Sequence, residues 1–360
     1  KPLVSSGKRL RDFGITSGRL ACGKRNSITD VKGVRVGHCT VEFGDGPMIR
    51  GQGPARTGVT VVLPHEGDLW HLRPSAACFV LNGCGVVTGS DWLNESGALE
   101  GPIALTNSHS VGDVASALTR FMADRHSEIG SQEAYLPVVA ECDDSYLNDI
   151  NGFHVKDEHV LSAIANASQH VEEGAVGAGR GMSCYGYKGG IGTASRVVAL
   201  ADRTFTVGCL VNSNHGRPEQ LLINGVQAAK LLQAEQSVLT GEGSIVMVLA
   251  TDAPLNQLQM MRLCKRAPMG LARTGSCAGE SSGDFVLGFS TGRLLPRKSS
   301  QAVQELPELH NDFITPLFEA VIEATEEAVL NSLLAAQTVI GRDGNKVNAL
   351  PIGSILQHLR

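Results

Sequence analysis

Gly243-Ser244 stands directly before the apolar run Ile245-Val246-Met247-Val248-Leu249-Ala250-Thr251, which Asp252 closes. The run has the length and β-branched content of a buried strand. The segment before it, Gln233 to Gly243, is mostly polar, ends in glycines and reads as an exposed loop. A serine at the mouth of a core strand, behind a glycine that tolerates strained backbone, can attack the preceding carbonyl and cut its own chain. The cut would leave Ser244 with both a nucleophilic hydroxyl and an α-amine. That amine has a reference pKa of about 7.7–8.0, which suits a general base near neutral pH. The competing reading is an ordinary Gly-Ser turn before a strand.

A second serine lies in Gly279-Glu280-Ser281-Ser282-Gly283, which matches the GxSxG nucleophile elbow. That elbow needs a strand before the serine and a helix after it, and here the predicted order is reversed. The segment could instead serve another serine. Ser282 donates and accepts, and Asp284 stands two residues on, sharing its face once the strand has begun.

Glu141-Cys142-Asp143-Asp144-Ser145-Tyr146-Leu147-Asn148-Asp149 gathers four acids behind the apolar Val138-Val139-Ala140. It is either a solvated acidic turn or, with Glu141 at the strand end, a site for a substrate ammonium. Asn212 and Asn214 follow another apolar strand. Either amide could donate to an oxyanion, and either could be a turn asparagine. The histidines form no HExxH or related metal pair, and His215 is expected in a turn. Gly174 to Gly181 fails the dinucleotide spacing because Met182 stands where the third glycine belongs. The run Gly181 to Lys188 misses the P-loop as well, leaving a structural glycine loop.

These residues need elements to hold them. Thr57 to Pro64 reads as a strand, and Ser195–Leu200 with Thr204–Val211 as a hairpin. Strand 244–251 follows the polar loop, and Asp284–Ser290 is a further strand. Helices are expected over Ser110–Arg125, with Ser110 as cap, and over Lys156–Ala167, Leu255–Arg273 and Asp312–Gln337. Strands and helices mix without regular βαβ alternation, and no Pro- or Ser-rich linker divides the chain. Stacked sheet and helix layers in one domain, 1–360, are expected.

The 360 residues are 42% hydrophobic, with a net charge of -5. That supplies a core and gives no electrostatic case for nucleic acid or an anionic membrane. Apolar runs fall short of the ~20 residues that span a bilayer. The nine cysteines include no CxxC pair and read as free thiols of a reducing compartment. A cytoplasmic location follows, with a periplasmic one as the alternative, since a leader removed before Lys1 would leave no trace.

Several stretches, in order along nearly the whole chain, resemble one family. They are Leu10–Ile15, Asn26–His38, Ala104–Asn107, Tyr146–Asp149, Gly174–Gly181, Lys188–Gly192, Gly243-Ser244 with Ala250–Leu255, and Gly270–Gly275. The family is the L-aminopeptidase/D-amidase-esterase and β-peptidyl aminopeptidase group of self-processing hydrolases. The resemblance implies an α+β fold, a four-layer αββα sandwich of the N-terminal nucleophile hydrolase kind. It implies a cut between Gly243 and Ser244 into chains 1–243 and 244–360, with Ser244 as nucleophile. The family's supporting serine and acid fall on Ser282 and Asp284. Its oxyanion asparagine falls on Asn214, with Asn212 as rival, and Glu141 and Tyr146 match substrate-side positions. A homotetramer of processed pairs is implied, with neither a metal nor an organic cofactor.

The sequence therefore reads as a serine aminopeptidase or amidase acting on short peptides, amides or esters. The alternatives are an elbow esterase using Ser281, a self-processing acyltransferase, and a glycine-rich small-ligand binding protein. Preference among L-, D- and β-residues is not readable from it.

Overall fold

A computed structural model describes residues 7–232 and 243–359. The loop expected over Gln233–Gly243 lies outside the described residues up to Glu242. Nine strands form two main sheets among the described residues: β1 (Arg35–Phe43), β2 (Ala55–Leu63), β3 (Leu72–Gly83), β4 (Ile103–Asn107), β5 (Val138–Cys142), β6 (Gly190–Leu200), β7 (Arg203–His215), β8 (Gly243–Thr251) and β9 (Gly283–Pro296). One sheet has the order β1-β2-β4-β5 and the other β3-β9-β8-β7-β6. In the second, β8 runs antiparallel to β7 and parallel to β9.

Alternation along β8 shows how the layers form. Val246, Val248 and Ala250 join a core with Leu105, Ala140 and Leu287, between the two sheets. Ile245, Met247 and Leu249 join the opposite core with residues of α3 (Gln257–Cys264), α4 (Ala267–Arg273) and α5 (Thr315–Ala335). A strand apolar on both faces must be covered on both. The outer face of the first sheet is covered by α1 (Val111–Ala123) and α2 (Asp157–Ala165) through Val59, Val61, Val114, Leu118 and Val160. The order is helix, sheet, sheet, helix, as expected.

Three expectations are corrected. The single helix over Leu255–Arg273 is two helices, because Lys265 and Arg266 break it and Pro268 opens the second. Ser110 stands at the start of α1 but makes no side-chain cap. The Asn107 side chain accepts from the amides of His109 and Ser110 instead. Asn212, Asn214 and His215 belong to β7 rather than a turn. His215 is buried against the Tyr185 ring, and burial pushes its pKa down to about 3.

Helix α5 carries a buried charge network. Glu323 and Glu327, one turn apart, hold the fully buried Arg196 of β6 at 3.0 and 2.7 Å. Arg11 joins Glu327 at 2.8 Å, and Asn26 donates to the same carboxylate. The Leu10–Ile15 and Asn26–His38 stretches are thereby fastened to the helical layer.

Candidate active site

Ser244 is the second residue of β8 and sits opposite Asn214 on one side and Gly283 on the other. Gly243 has φ +76°, and a Cβ there would lie 1.8 Å from the Asn214 carbonyl oxygen. Glycine alone fits this turn into the strand. The Ser244 hydroxyl is buried beside the Cys142 thiol and has no nitrogen or oxygen partner among the described residues.

A cavity of about 620 Å³ opens at this end of the sandwich. Gly243, Ser244, Asn214, Glu141, Tyr146 and Ser281 all line it. The Asn214 amide is fixed from both sides: its Oδ1 accepts from the Ser183 amide at 2.9 Å and its Nδ2 donates to the Asp143 carbonyl at 2.9 Å. One N–H of Nδ2 is left over. Ser183 is held in turn by a feature composition concealed. Nζ of Lys188 is fully buried and donates to the carbonyls of Gly179, Met182 and Gly189 at 2.9, 2.5 and 2.8 Å, and burial lowers its pKa well below the usual value. It ties the glycine loop against the two sheets, where a Cβ on Gly179 would meet the Ile191 nitrogen at 2.6 Å. That loop is structural, as expected.

Asn212 is buried on β7 and does not line the cavity, and neither atom of its amide has a partner among the described residues. Ser282 and Asp284 are also buried and absent from the cavity wall, flanking Gly283, the register partner of Ser244. The Ser282 hydroxyl donates to Asp284 Oδ1 at 2.9 Å, so the two do share a face. Ser281 is exposed and enters β9 rather than leaving a strand for a helix, which is not the elbow's setting.

The acidic stretch is not a solvated turn. Glu141, Asp144 and Asp149 are buried, while Asp143 is exposed. Glu141 accepts from the Val86 amide at 2.9 Å and from the Ser108 hydroxyl. Burial raises its pKa, partly opposed by those two donors. Asp144, bonded to Asn148, is pushed up to about 7 by burial. Ser108 and Arg342 also line the cavity, and the sequence reading missed both. Ser108 stands one residue past Asn107 at the end of β4, a position that would have flagged it.

Two sheets stacked between helical layers, with a serine leading a central strand into a polar cavity, define the N-terminal nucleophile hydrolase class of fold. The comparisons agree. The structure of L-aminopeptidase D-Ala-esterase/amidase from Ochrobactrum anthropi, described as a variant of that fold, is 36% identical with a TM-score of 0.90, and 99% of each chain is covered. The Burkholderia sp. β-aminopeptidase is 42% identical with a TM-score of 0.90, covering 98% of each chain. The β-peptidyl aminopeptidase BapA of Sphingosinicella microcystinivorans is 42% identical across 96% of this chain and 90% of its own. The pattern of peptidase family S58 matches residues 26–347. The chain belongs to peptidase family S58 and is a hydrolase of the aminopeptidase class.

Proposed function

We propose that this chain is a self-processing aminopeptidase whose nucleophile is Ser244. The observation that carries the reading is the buried Ser244 hydroxyl, without a nitrogen or oxygen partner among the described residues, set opposite Asn214 at the cavity's edge and directly behind a glycine in left-handed conformation. In the precursor, Oγ attacks the Gly243 carbonyl carbon. The C–N bond breaks, the Ser244 nitrogen takes the hydroxyl proton, and an ester links Gly243 to Oγ. Water hydrolyses the ester, giving a Gly243 carboxylate and a free Ser244 amine, hence chains 1–243 and 244–360 from one domain.

In turnover that amine takes the Oγ proton as Oγ attacks the substrate carbonyl. The free N–H of Asn214 Nδ2 faces the developing oxyanion, and its orientation is already fixed by Ser183 and Asp143. Asn212, outside the cavity wall, is the weaker candidate. The tetrahedral adduct expels the leaving amine, which carries off the proton, and water clears the acyl-enzyme. Ser282 and Asp284 support the proton transfers from the neighbouring strand. Glu141 receives the substrate ammonium, with Tyr146 beside it on the cavity wall. Short peptides, amides and esters suit a cavity of this size, and the names of the β-peptidyl aminopeptidase and the amidase/esterase relatives support that range. A homotetramer of processed pairs is the assembly carried by the resemblance.

The test is an intact-mass measurement with N-terminal sequencing. The smaller chain is expected to begin Ser-Ile-Val-Met, and Ser244→Ala to remain whole and inactive. A single full-length, active chain would overturn the mechanism.

A further inference from the structure

Asp68, His71 and His126 meet at the surface, outside the candidate active site. Asp68 and His71 lie in the turn between β2 and β3, and His126 just past the end of α1. One ligand atom from each lies within 4.8 Å of the others. Asp68 Oδ2 is 2.8 Å from His71 Nδ1, and Asp68 Oδ1 is 3.7 Å from His126 Nε2. None of the three lines the Ser244 cavity.

The other side of His71 is what distinguishes this group from a surface ion pair. Its Nε2 lies 3.0 Å from Glu128 Oε1, and that oxygen also accepts from the Trp70 indole N–H at 3.0 Å. Both ring nitrogens of one imidazole therefore face carboxylate oxygens. A neutral imidazole carries one N–H, so in the tautomer that donates from Nε2 to Glu128 the Nδ1 lone pair faces the lone pairs of Asp68. A cation between Nδ1 and Asp68 resolves that contact. A ligating histidine held through its second nitrogen by a carboxylate is the usual outer-shell arrangement of a metal site.

We propose that Asp68, His71 and His126 bind a divalent transition-metal ion of the zinc type, with Glu128 orienting His71. Two imidazoles and a carboxylate are a nitrogen–oxygen set suited to zinc. Bonds of roughly 2.0–2.2 Å place tetrahedral ligands about 3.3 Å apart, so the 2.8 Å contact of Asp68 with His71 opens by about half an ångström and the wider pairs close by up to about 1.5 Å on binding. The Asp68 and His71 side chains are exposed, with Asp68 Oδ1 held by the amides of Trp70 and His71, so Asp68 Oδ2 and the two rings make that adjustment. A cavity of about 400 Å³ lined by Asp68 and His126 admits the ion and a water as fourth ligand. The ion ties the β2–β3 turn to the end of α1, beside the fully buried Trp70, which also lies under the Arg297 guanidinium.

The experiment uses the full protein after chelation and dialysis. Zinc chloride is titrated calorimetrically, and cobalt chloride by visible absorption. One ion per chain is expected, with a cobalt spectrum lacking the thiolate charge-transfer band that cysteine ligation would give. The thermal midpoint should rise with zinc. His71→Ala and His126→Asn should each weaken binding at least about 100-fold and abolish the rise, and Glu128→Gln should weaken it about 10–100-fold. Each variant's metal-free melting and circular dichroism establish that it is folded. Binding that persists in both folded histidine variants, or a thiolate band, would place the ion elsewhere and overturn the proposal. So would the lack of saturable binding up to millimolar zinc.

Discussion

The Ser282 hydroxyl donates to Oδ1 of Asp284 at 2.9 Å, while Oδ2 of the same carboxylate is buried with no partner among the described residues. Burial pushes the Asp284 pKa up to about 6, against the lowering effect of Ser282. A carboxylate needed for turnover would be lost by protonation as pH falls through that value. kcat/KM, already falling as the Ser244 amine gains a proton, is expected to fall more steeply below about pH 6, and Asp284→Asn to remove that second limb along with most activity. Stability runs the other way. The folded acid holds its proton more tightly than the unfolded one, so between about pH 4 and 6 stability falls as pH rises. Asp284→Asn should lack that slope in urea melts taken across the interval.

Ser281 and Ser282 are neighbours with opposite environments, one exposed in the cavity wall and one buried against Asp284. Ser281→Ala is expected to retain processing and activity within about tenfold, and Ser282→Ala to lose about 10²–10⁴-fold. Steady-state kinetics on both variants, each first checked for processing by mass, decides the matter. An inactive but normally processed Ser281→Ala enzyme would move the nucleophile to the elbow.

Asn214→Ala should lower kcat by about 10²–10³-fold, the usual cost of one oxyanion donor. Asn212→Ala, which alters no cavity-lining group, should lose less than about tenfold. Equal losses would remove the distinction drawn from their places on β7.

Glu141→Gln should cost about 100-fold in kcat/KM on substrates with a free N-terminal amine, since a buried charge would lose its partner. The same variant should leave poor turnover of an N-acetylated substrate unchanged. If acetylated and free substrates are hydrolysed equally by the parent enzyme, Glu141 reads no ammonium.

Arg196→Met would leave Glu323 and Glu327 buried beside one another without their shared cation, at a cost of about 3–5 kcal/mol in denaturant melts. Burial alone would raise the Glu327 pKa, but the bonds from Arg11, Arg196 and Asn26 outweigh it and hold it below the usual value. Its contribution is therefore present at neutral pH and is lost as pH falls through that depressed pKa. The variant should show a weaker acid-side loss than the parent.

The strand from Ser244 to Thr251 was legible because its two-residue alternation is apolar on both faces. Ser282 and Asp284 were legible as a pair because spacing of two puts side chains on one face. Asn212 and Asn214 were harder, since polar residues inside β7 imitate a turn, and only the sheet partners Val246 and Ser244 place them in a strand. Arg196 and Lys188 could not be found by pattern. Charged side chains are ordinarily exposed; Arg196 is kept inside by carboxylates from a distant helix, and Lys188 by carbonyls that the fold of its own glycine loop turns toward it. The grouping of Asp68 with His126 is likewise a product of the packing of α1 beside the β2–β3 turn.

The order β3-β9-β8-β7-β6 has a consequence for the life of the enzyme once the proposed cut is made. Strands β8 and β9 would then belong to the shorter piece, and the strands on both sides of them to the longer one. Neither piece would own the whole of this five-stranded sheet, and neither could leave without tearing two ladders at once. Unfolding would be a one-way event, because recovery would require two different molecules to find each other and interleave, at a rate that falls with dilution. The precursor makes the same sheet within one molecule. The mature enzyme's durability would be set by how slowly it opens, and a sample once denatured should regain activity poorly, less so the more dilute it is.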